Sequence, residues 1–531
     1  MKRIAILGGG IAGLTAAYEL ARQARSGAQV EAVLFESSNR LGGLIETVRE
    51  GGFTVEAGPD GWVSAKPWAR ELAIELGLES ELIASNDATR KTHIFLTTPD
   101  HPSGRLVSMP DGLHMMVPTD LAALEGSPLF TEAAIAAYRA EPARASELLA
   151  SIPPADESVA NFTLRHFGPE VLTRVAAPLL SGVFGGDVRT LSVRAVMPAF
   201  VQMERRHGSL IAALSRPSSP EPEASAIFTT LRSGLGTLIE RLVAAIPPHW
   251  LRLNTAVTAI EPRSTLTAHG SGFAPKSEEP APWTVYTTTT TGKHRGSETF
   301  DAIFLATPLD ATRRLLAPID AASAQLLPTE SSSAVLVAFA YPDATRVPLP
   351  PGFGFLVPPE AASSRPASSE AESPPHFAFS SADGEATIDP SSSLLLACTF
   401  TDQKFPHRVP PNGRLVRAFF GGAAADRIAR CNNDEIAAIA RLELARVLHA
   451  GAPVSGPAPT PAPVPVLTVI RRWPNSLPQY AVGHLDRVGE LESRLRAHPG
   501  LVLLGNALHG VGLPDLVRDA REAARTAVAG L

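Results

Sequence analysis

Apolar residues along this chain fall into short continuous runs, each closed by turn residues. Ile4-Ala5-Ile6-Leu7, Val33-Leu34-Phe35, Ala302-Ile303-Phe304-Leu305 and Leu501-Val502-Leu503-Leu504 predict strands buried on both faces. The first run stops at Gly8-Gly9-Gly10, and a helix is expected to start straight after it. The third enters a turn at Thr307-Pro308 and the fourth stops at Gly505-Asn506. Leu231 to Leu238 predicts a turn into a helix, and Ala334 to Phe339 another strand. The segment from Pro514 to Ala529 predicts a helix, with proline in its first turn, Asp515 near the positive end and Gly530 past the last turn. Between Met109 and Leu214 the pattern is mostly helical, as in Ser158 to Arg165 and Pro169 to Ala177. No apolar run reaches the ~18 residues of a spanning helix, so none is expected.

Composition narrows the class. The 531 residues can hold two or three domains, and a formal charge of −6 gives no reason to invoke nucleic acid. Two cysteines, Cys398 and Cys431, can build neither a disulfide framework nor a four-cysteine metal site. A secretory leader is not expected, because glycines interrupt the first apolar stretch and Glu19 and Arg22 follow it. A reducing, cytoplasmic setting is the expectation. Ser215 to Ala226, Ser264 to Pro280, Pro358 to Ser393 and Pro453 to Pro465 are low in complexity and predict loop insertions without chemistry of their own.

The first turn carries candidate chemistry. A strand, then Gly8-Gly9-Gly10-Ile11-Ala12-Gly13, then a helix, with Glu36 closing the second strand, is the dinucleotide-binding fingerprint. Gly8 permits the tight turn, Gly10 the close approach of a pyrophosphate, and Gly13 close packing of helix on strand. Glu36, with Ser37 beside it, is placed to accept from ribose hydroxyls. The alternative is a glycine-rich turn with no ligand. At the other end, Gly505-Asn506 and Val511-Gly512-Leu513 before a helix N-terminus suit the edge of a flavin where negative charge collects on reduction.

Arg40-Leu41-Gly42-Gly43-Leu44 resembles the turn that follows the acid in two-dinucleotide-binding flavoproteins. There it wraps the pyrophosphate of FAD, which would give Arg40 a phosphate contact; the alternative is a solvated loop cation. With Gly58-Pro59-Asp60-Gly61, Pro178 to Asp187 (PLLSGVFGGD), Leu191-Ser192, Ala397 to Phe400, Lys404-Phe405-Pro406-His407, Arg472-Trp473, Leu477 to Tyr480, Gly483-His484 and the GVGLPD ending, nearly the whole chain resembles the porphyrinogen oxidases of haem biosynthesis, bacterial type. These belong to the amine-oxidase-like FAD superfamily. The resemblance implies an α/β fold: a discontinuous, Rossmann-like two-dinucleotide-binding FAD domain (1–87, 228–308, 464–531), an α+β substrate domain (88–108, 309–463) and a helical domain (109–227). It implies non-covalent FAD, with Gly58, Pro59, Asp60 and Gly61 against the flavin ring, Val257 meeting the adenine, and Trp473 near the ring or else in the core.

The implied reaction is oxygen-dependent oxidation of a porphyrinogen to the porphyrin in three two-electron steps, with hydrogen peroxide released. The product's aromaticity supplies the driving force, so no general base, carboxylate pair or metal site is assigned. Coproporphyrinogen III is favoured over protoporphyrinogen IX. Its carboxylates call for cations, and Lys66, Arg90 and Lys91 are the candidates, each of which could instead be a solvated surface charge. Onward transfer of product to a ferrochelatase and a peripheral contact with the inner face of the membrane stay open. An amine oxidase or desaturase on the same fold is the rival enzyme reading, and a non-catalytic FAD-binding scaffold the other.

Overall fold

The computed structural model describes residues 1–215, 226–262, 283–290, 292, 294–358, 394–448 and 463–529. The low-complexity stretches lie outside these apart from their end positions, as does Gly530. No helix among the described residues is long and apolar enough to cross a membrane.

One layer is a parallel five-stranded sheet in the order Leu251–Arg252, Val30–Phe35, Lys2–Leu7, Ala302–Leu305, Leu501–Leu503. Its central strand explains the continuous apolar run. Ile4 and Ile6 pack toward the helices Ile11–Arg25 and Leu513–Ala529, whereas Ala5 and Leu7 face a second core with Ile260, Trp283 and Phe300. Both faces are therefore covered, as parallel sheets require. The antiparallel strands Thr255–Pro262, Trp283–Thr289 and Arg295–Phe300 form the cover on that second side.

The second layer is a seven-stranded mixed sheet, ordered Leu467–Pro478, Ser331–Tyr341, Arg414–Gly421, Leu395–Phe400, Gly354–Leu356, Thr92–Thr98, His101–Ser108. Two expected boundaries need correction here. The C-terminal piece of the FAD domain does not begin at 464, because Leu467–Pro478 pairs along Ser331–Tyr341 (Ala334 opposite Trp473) and is the edge strand of this sheet. Nor does the substrate domain begin at 309. Leu309, Leu315, Leu316, Ala324 and Leu327 bury themselves against the second face of the parallel sheet. The helix Leu309–Leu316 has its apolar side on that core, which a boundary drawn at the proline turn overlooks.

The third body is helical and packs around Tyr138, Phe162, Phe167, Leu180 and Leu191. Thr131, Ser158, Ser192 and Ser209 each cap a helix N-terminus with a side-chain oxygen. The helix expected over Pro169–Ala177 is not a plain α-helix. A π-type turn, Leu172–Ala176, separates Pro169–Val171 from Ala177–Phe184. Pro178 has no N–H to give, and the wider turn accommodates it.

Candidate functional site

The glycine loop after the first strand shows why each position must be small. Gly8 has φ +112°, and a Cβ on Gly13 would run into the carbonyl oxygen of Gly8. Gly10 differs: a Cβ there would meet no protein atom within 4 Å, so its Cα faces open space at the start of the helix. Glu36 braces this loop, its Oε2 accepting from Gly9 N at 2.8 Å and its Oε1 from Ser38 N at 2.8 Å. The carboxylate keeps acceptor capacity beyond those two bonds. Gly42 N donates to Gly9 O at 2.8 Å, laying the second glycine turn across the first.

These loops open on one cavity of about 1170 Å³. Its wall includes Gly8, Gly10, Ile11, Ala12, Glu36, Ser37, Gly42, Gly43, Leu44, the Gly58–Gly61 turn and Val257. It also includes Trp473, Gly505, Asn506, Val511, Gly512 and Leu513. Residues that are far apart in sequence thus share one surface, where the ends of the parallel sheet meet the mixed sheet. Gly13 lies behind that wall, at the helix–strand contact.

Arg40 is placed otherwise than expected. Its guanidinium donates to the carbonyls of Leu41 (3.2 Å), Ile45 (2.9 Å) and Gly43, and it is absent from the cavity wall. Three of its five N–H donors go to carbonyls of its own tight turn, so Arg40 shapes the Gly42-Gly43 turn from behind. Lys66 does line the cavity, but its ammonium sits on Asp515, 2.6 Å away, in the first turn of the C-terminal helix. Arg90 and Lys91 are exposed before the strand Thr92–Thr98 and take no part in the wall. They follow the short turn Asp87–Thr89.

Asp60 anchors the Gly58–Gly61 turn to the mixed sheet. Lys404 Nζ and Arg417 Nη1 each lie 3.1 Å from its carboxylate, and Arg417 also donates to Gly58 O. Burial alone would raise the Asp60 pKa, but Lys404 and Arg417 outweigh it and hold the carboxyl at about 2. Deeper in, fully buried Arg408 pairs with Glu56 at 2.9 Å and donates to Thr230 Oγ1 at 2.8 Å. Glu56 in turn accepts from Thr47 Oγ1 and Leu235 N. None of Lys404, Arg408 or Arg417 received a role from sequence. The signal available was a charged residue inside the apolar strand Arg414–Gly421, together with the Lys404-Phe405-Pro406-His407 motif.

At the far side Tyr480 stacks on His484 (centroids 4.0 Å apart, planes 9° apart) and donates to Asn506 O at 2.6 Å. Asn506 Nδ2 donates to Ser476 O at 2.8 Å, tying the Gly505-Asn506 turn to the edge strand. Cys398 is buried and Cys431 half-buried, and neither lines the cavity. Among the described residues the wall contains no histidine.

A sequence model of the flavin containing amine oxidoreductases matches residues 11–528. The coproporphyrinogen III oxidase of Bacillus subtilis (strain 168) is 29% identical over 99% of this chain and 98% of its own length. The protoporphyrinogen oxidase of Homo sapiens is 28% identical, over 98% of each. A crystal structure from Exiguobacterium sp. 255-15, provisionally assigned as a protoporphyrinogen oxidase, aligns with a TM-score of 0.74 at 27% identity, covering 100% of this chain and 99% of that one.

Proposed function

The chain belongs to the flavin containing amine oxidoreductase family, and on that premise we propose that it is an FAD-dependent, oxygen-using porphyrinogen oxidase of haem biosynthesis, acting on coproporphyrinogen III in preference to protoporphyrinogen IX. The observation that carries the reading is the match over nearly the full length with coproporphyrinogen III oxidases, joined to a single cavity where both glycine-rich ends converge.

The wall fits FAD. Gly10 leaves room for a pyrophosphate at a helix N-terminus, and the remaining lone pairs of Glu36 face the place of the ribose. In this reading Val257 would meet the adenine, and the Gly58–Gly61 turn, Trp473 and Val511 to Leu513 the ring; all of them line the cavity. Binding is read as non-covalent; the placement of both cysteines outside the wall supports this. Bound here, FAD would supply a two-electron acceptor for hydride from a saturated bridging carbon of the macrocycle, with oxygen as the final oxidant and hydrogen peroxide as its product. The residues themselves bind and orient. Trp62, Phe228, Phe419, Phe420 and Trp473 give the cavity apolar faces for a flat macrocycle and keep water from it. With no histidine in the wall, no side-chain base is assigned. Lys66, whose side chain is 48% exposed, is the carboxylate anchor carried over from sequence, while Arg90 and Lys91 are not.

The test mixes FAD-loaded protein aerobically with each porphyrinogen and follows porphyrin fluorescence over controls without enzyme. Faster turnover of coproporphyrinogen III is expected. Preference for protoporphyrinogen IX would overturn the substrate assignment. Bound flavin with neither substrate oxidised would overturn the catalytic reading.

A further inference from the structure

The wall between the Gly58–Gly61 turn and the mixed sheet holds unequal charges. Two carboxylates, Asp60 and Glu56, face three cations, Lys404, Arg408 and Arg417, and no side chain of the five is more than 15% exposed. Asp402 pairs with Arg414 at 2.5 Å, and Asp515 pairs with Lys66 at 2.6 Å. His407 is neutral near pH 7: burial, then Arg408 and Arg232, push its pKa down to about 4. One positive charge is left over in a region that solvent screens poorly. Of the three cations, Arg417 is the one in the cavity wall. Its Nε and the hydroxyl of Thr399, its cross-strand partner in the same wall, have no hydrogen-bond partner among the described residues.

We propose that Arg417 carries this surplus charge to the cavity and tunes the cofactor, favouring the reduced, anionic flavin and making the bound flavin a stronger oxidant. The inference rests on the FAD reading above. Two-electron reduction with uptake of one proton leaves a single negative charge on the flavin ring system. A fixed cation at the wall stabilises that charge without moving. The surplus belongs to the cluster as a whole, in which Lys404 and Arg417 share Asp60, and Arg417 is the cation through which it reaches the cavity.

The experiment measures the two-electron potential of FAD-loaded protein against a reference dye reduced alongside it. Arg417→Gln should shift the reduction equilibrium at least tenfold toward oxidised flavin, about 30 mV lower for a two-electron couple. Arg417→Lys should restore most of that. Asp60→Asn raises the surplus by one charge and should move the potential the opposite way, a sign that loss of packing alone does not produce. If Arg417→Gln fails to hold FAD, the Arg417→Lys and Asp60→Asn pair still decides. Potentials that do not follow charge, in protein that loads FAD normally, overturn this inference and leave the cofactor reading intact. Wild-type protein that takes up no FAD overturns both.

Discussion

Gly10 and Gly13 stand three residues apart on one helix start and make opposite demands. Gly13 is small because protein occupies the space beside it; Gly10 faces the cavity. Gly13→Ala should therefore destabilise the apoprotein by about 1–3 kcal/mol, since backbone has to move to admit the methyl. Gly10→Ala should leave the apoprotein's Tm unchanged and weaken FAD binding at least tenfold. Thermal melts of the two apoproteins, with FAD titrations by flavin fluorescence, check the pair. A Gly10→Ala protein that binds FAD like the parent would remove the pyrophosphate from this turn. The same contrast shows how residue type informs and misinforms. Glu36 could be singled out because it is an acid closing the second strand, and it lies in the cavity wall bracing the glycine loop. Arg40 was misread because its donors go to carbonyls of its own turn, a matter of side-chain direction that spacing does not encode.

Among the elements, the helical body owes its arrangement to a charged knot. His166, on the helix Val159–Phe167, lies between Glu141 (2.9 Å from Nδ1) and Glu204 (3.1 Å from Nε2), with both nitrogens buried. Glu141 also accepts from Ser209 Oγ and Leu210 N, so three helices and a short turn meet at one imidazole. Burial alone would lower the His166 pKa, but Glu141 and Glu204 outweigh it and the net shift is upward. Folding thus favours the imidazolium, and the stabilisation it brings is complete below the unfolded value of ~6.5. That stabilisation is lost as pH rises through the raised folded value. Thermal melts from pH 6 to 9 should show parent Tm falling with pH more steeply than in His166→Gln. Equal slopes would show that the imidazole does not titrate in that window.

In the whole molecule, the two sheets meet through the same buried groups that line the site. Glu56 ends the hairpin strand Phe53–Glu56 and Asp60 follows it in the Gly58–Gly61 turn, whereas Arg417 is on the mixed-sheet strand Arg414–Gly421 and Lys404 and Arg408 lie on short helical turns between two strands of that sheet. Removing one partner of a buried pair costs roughly 3–5 kcal/mol, because the other charge stays behind. Arg408→Met should lower the unfolding free energy by that amount and split unfolding into two transitions, followed by tryptophan fluorescence and circular dichroism together. A single unshifted transition would mean that the sheets do not depend on this pair. On the proposed FAD reading, saturating the protein at 100 times Kd should add about 2.7 kcal/mol, seen as a higher Tm than in apoprotein.

The parallel sheet, its glycine loop and the C-terminal helix could be read from the chain because each is local: a run of apolar residues, a turn that only glycine allows, a cap. The family could be read because many such short motifs recur in one order. The bounds of the bodies, the pairing of Leu467–Pro478 with Ser331–Tyr341 and the cluster around Asp60 could not. They depend on which surfaces meet after folding, and Asp60 and Arg417 lie 3.1 Å apart across hundreds of residues of chain. Charge balance at the cavity belongs to the same class. A sequence lists its charged residues, but burial decides which of them remain unscreened, and partner geometry decides which are cancelled.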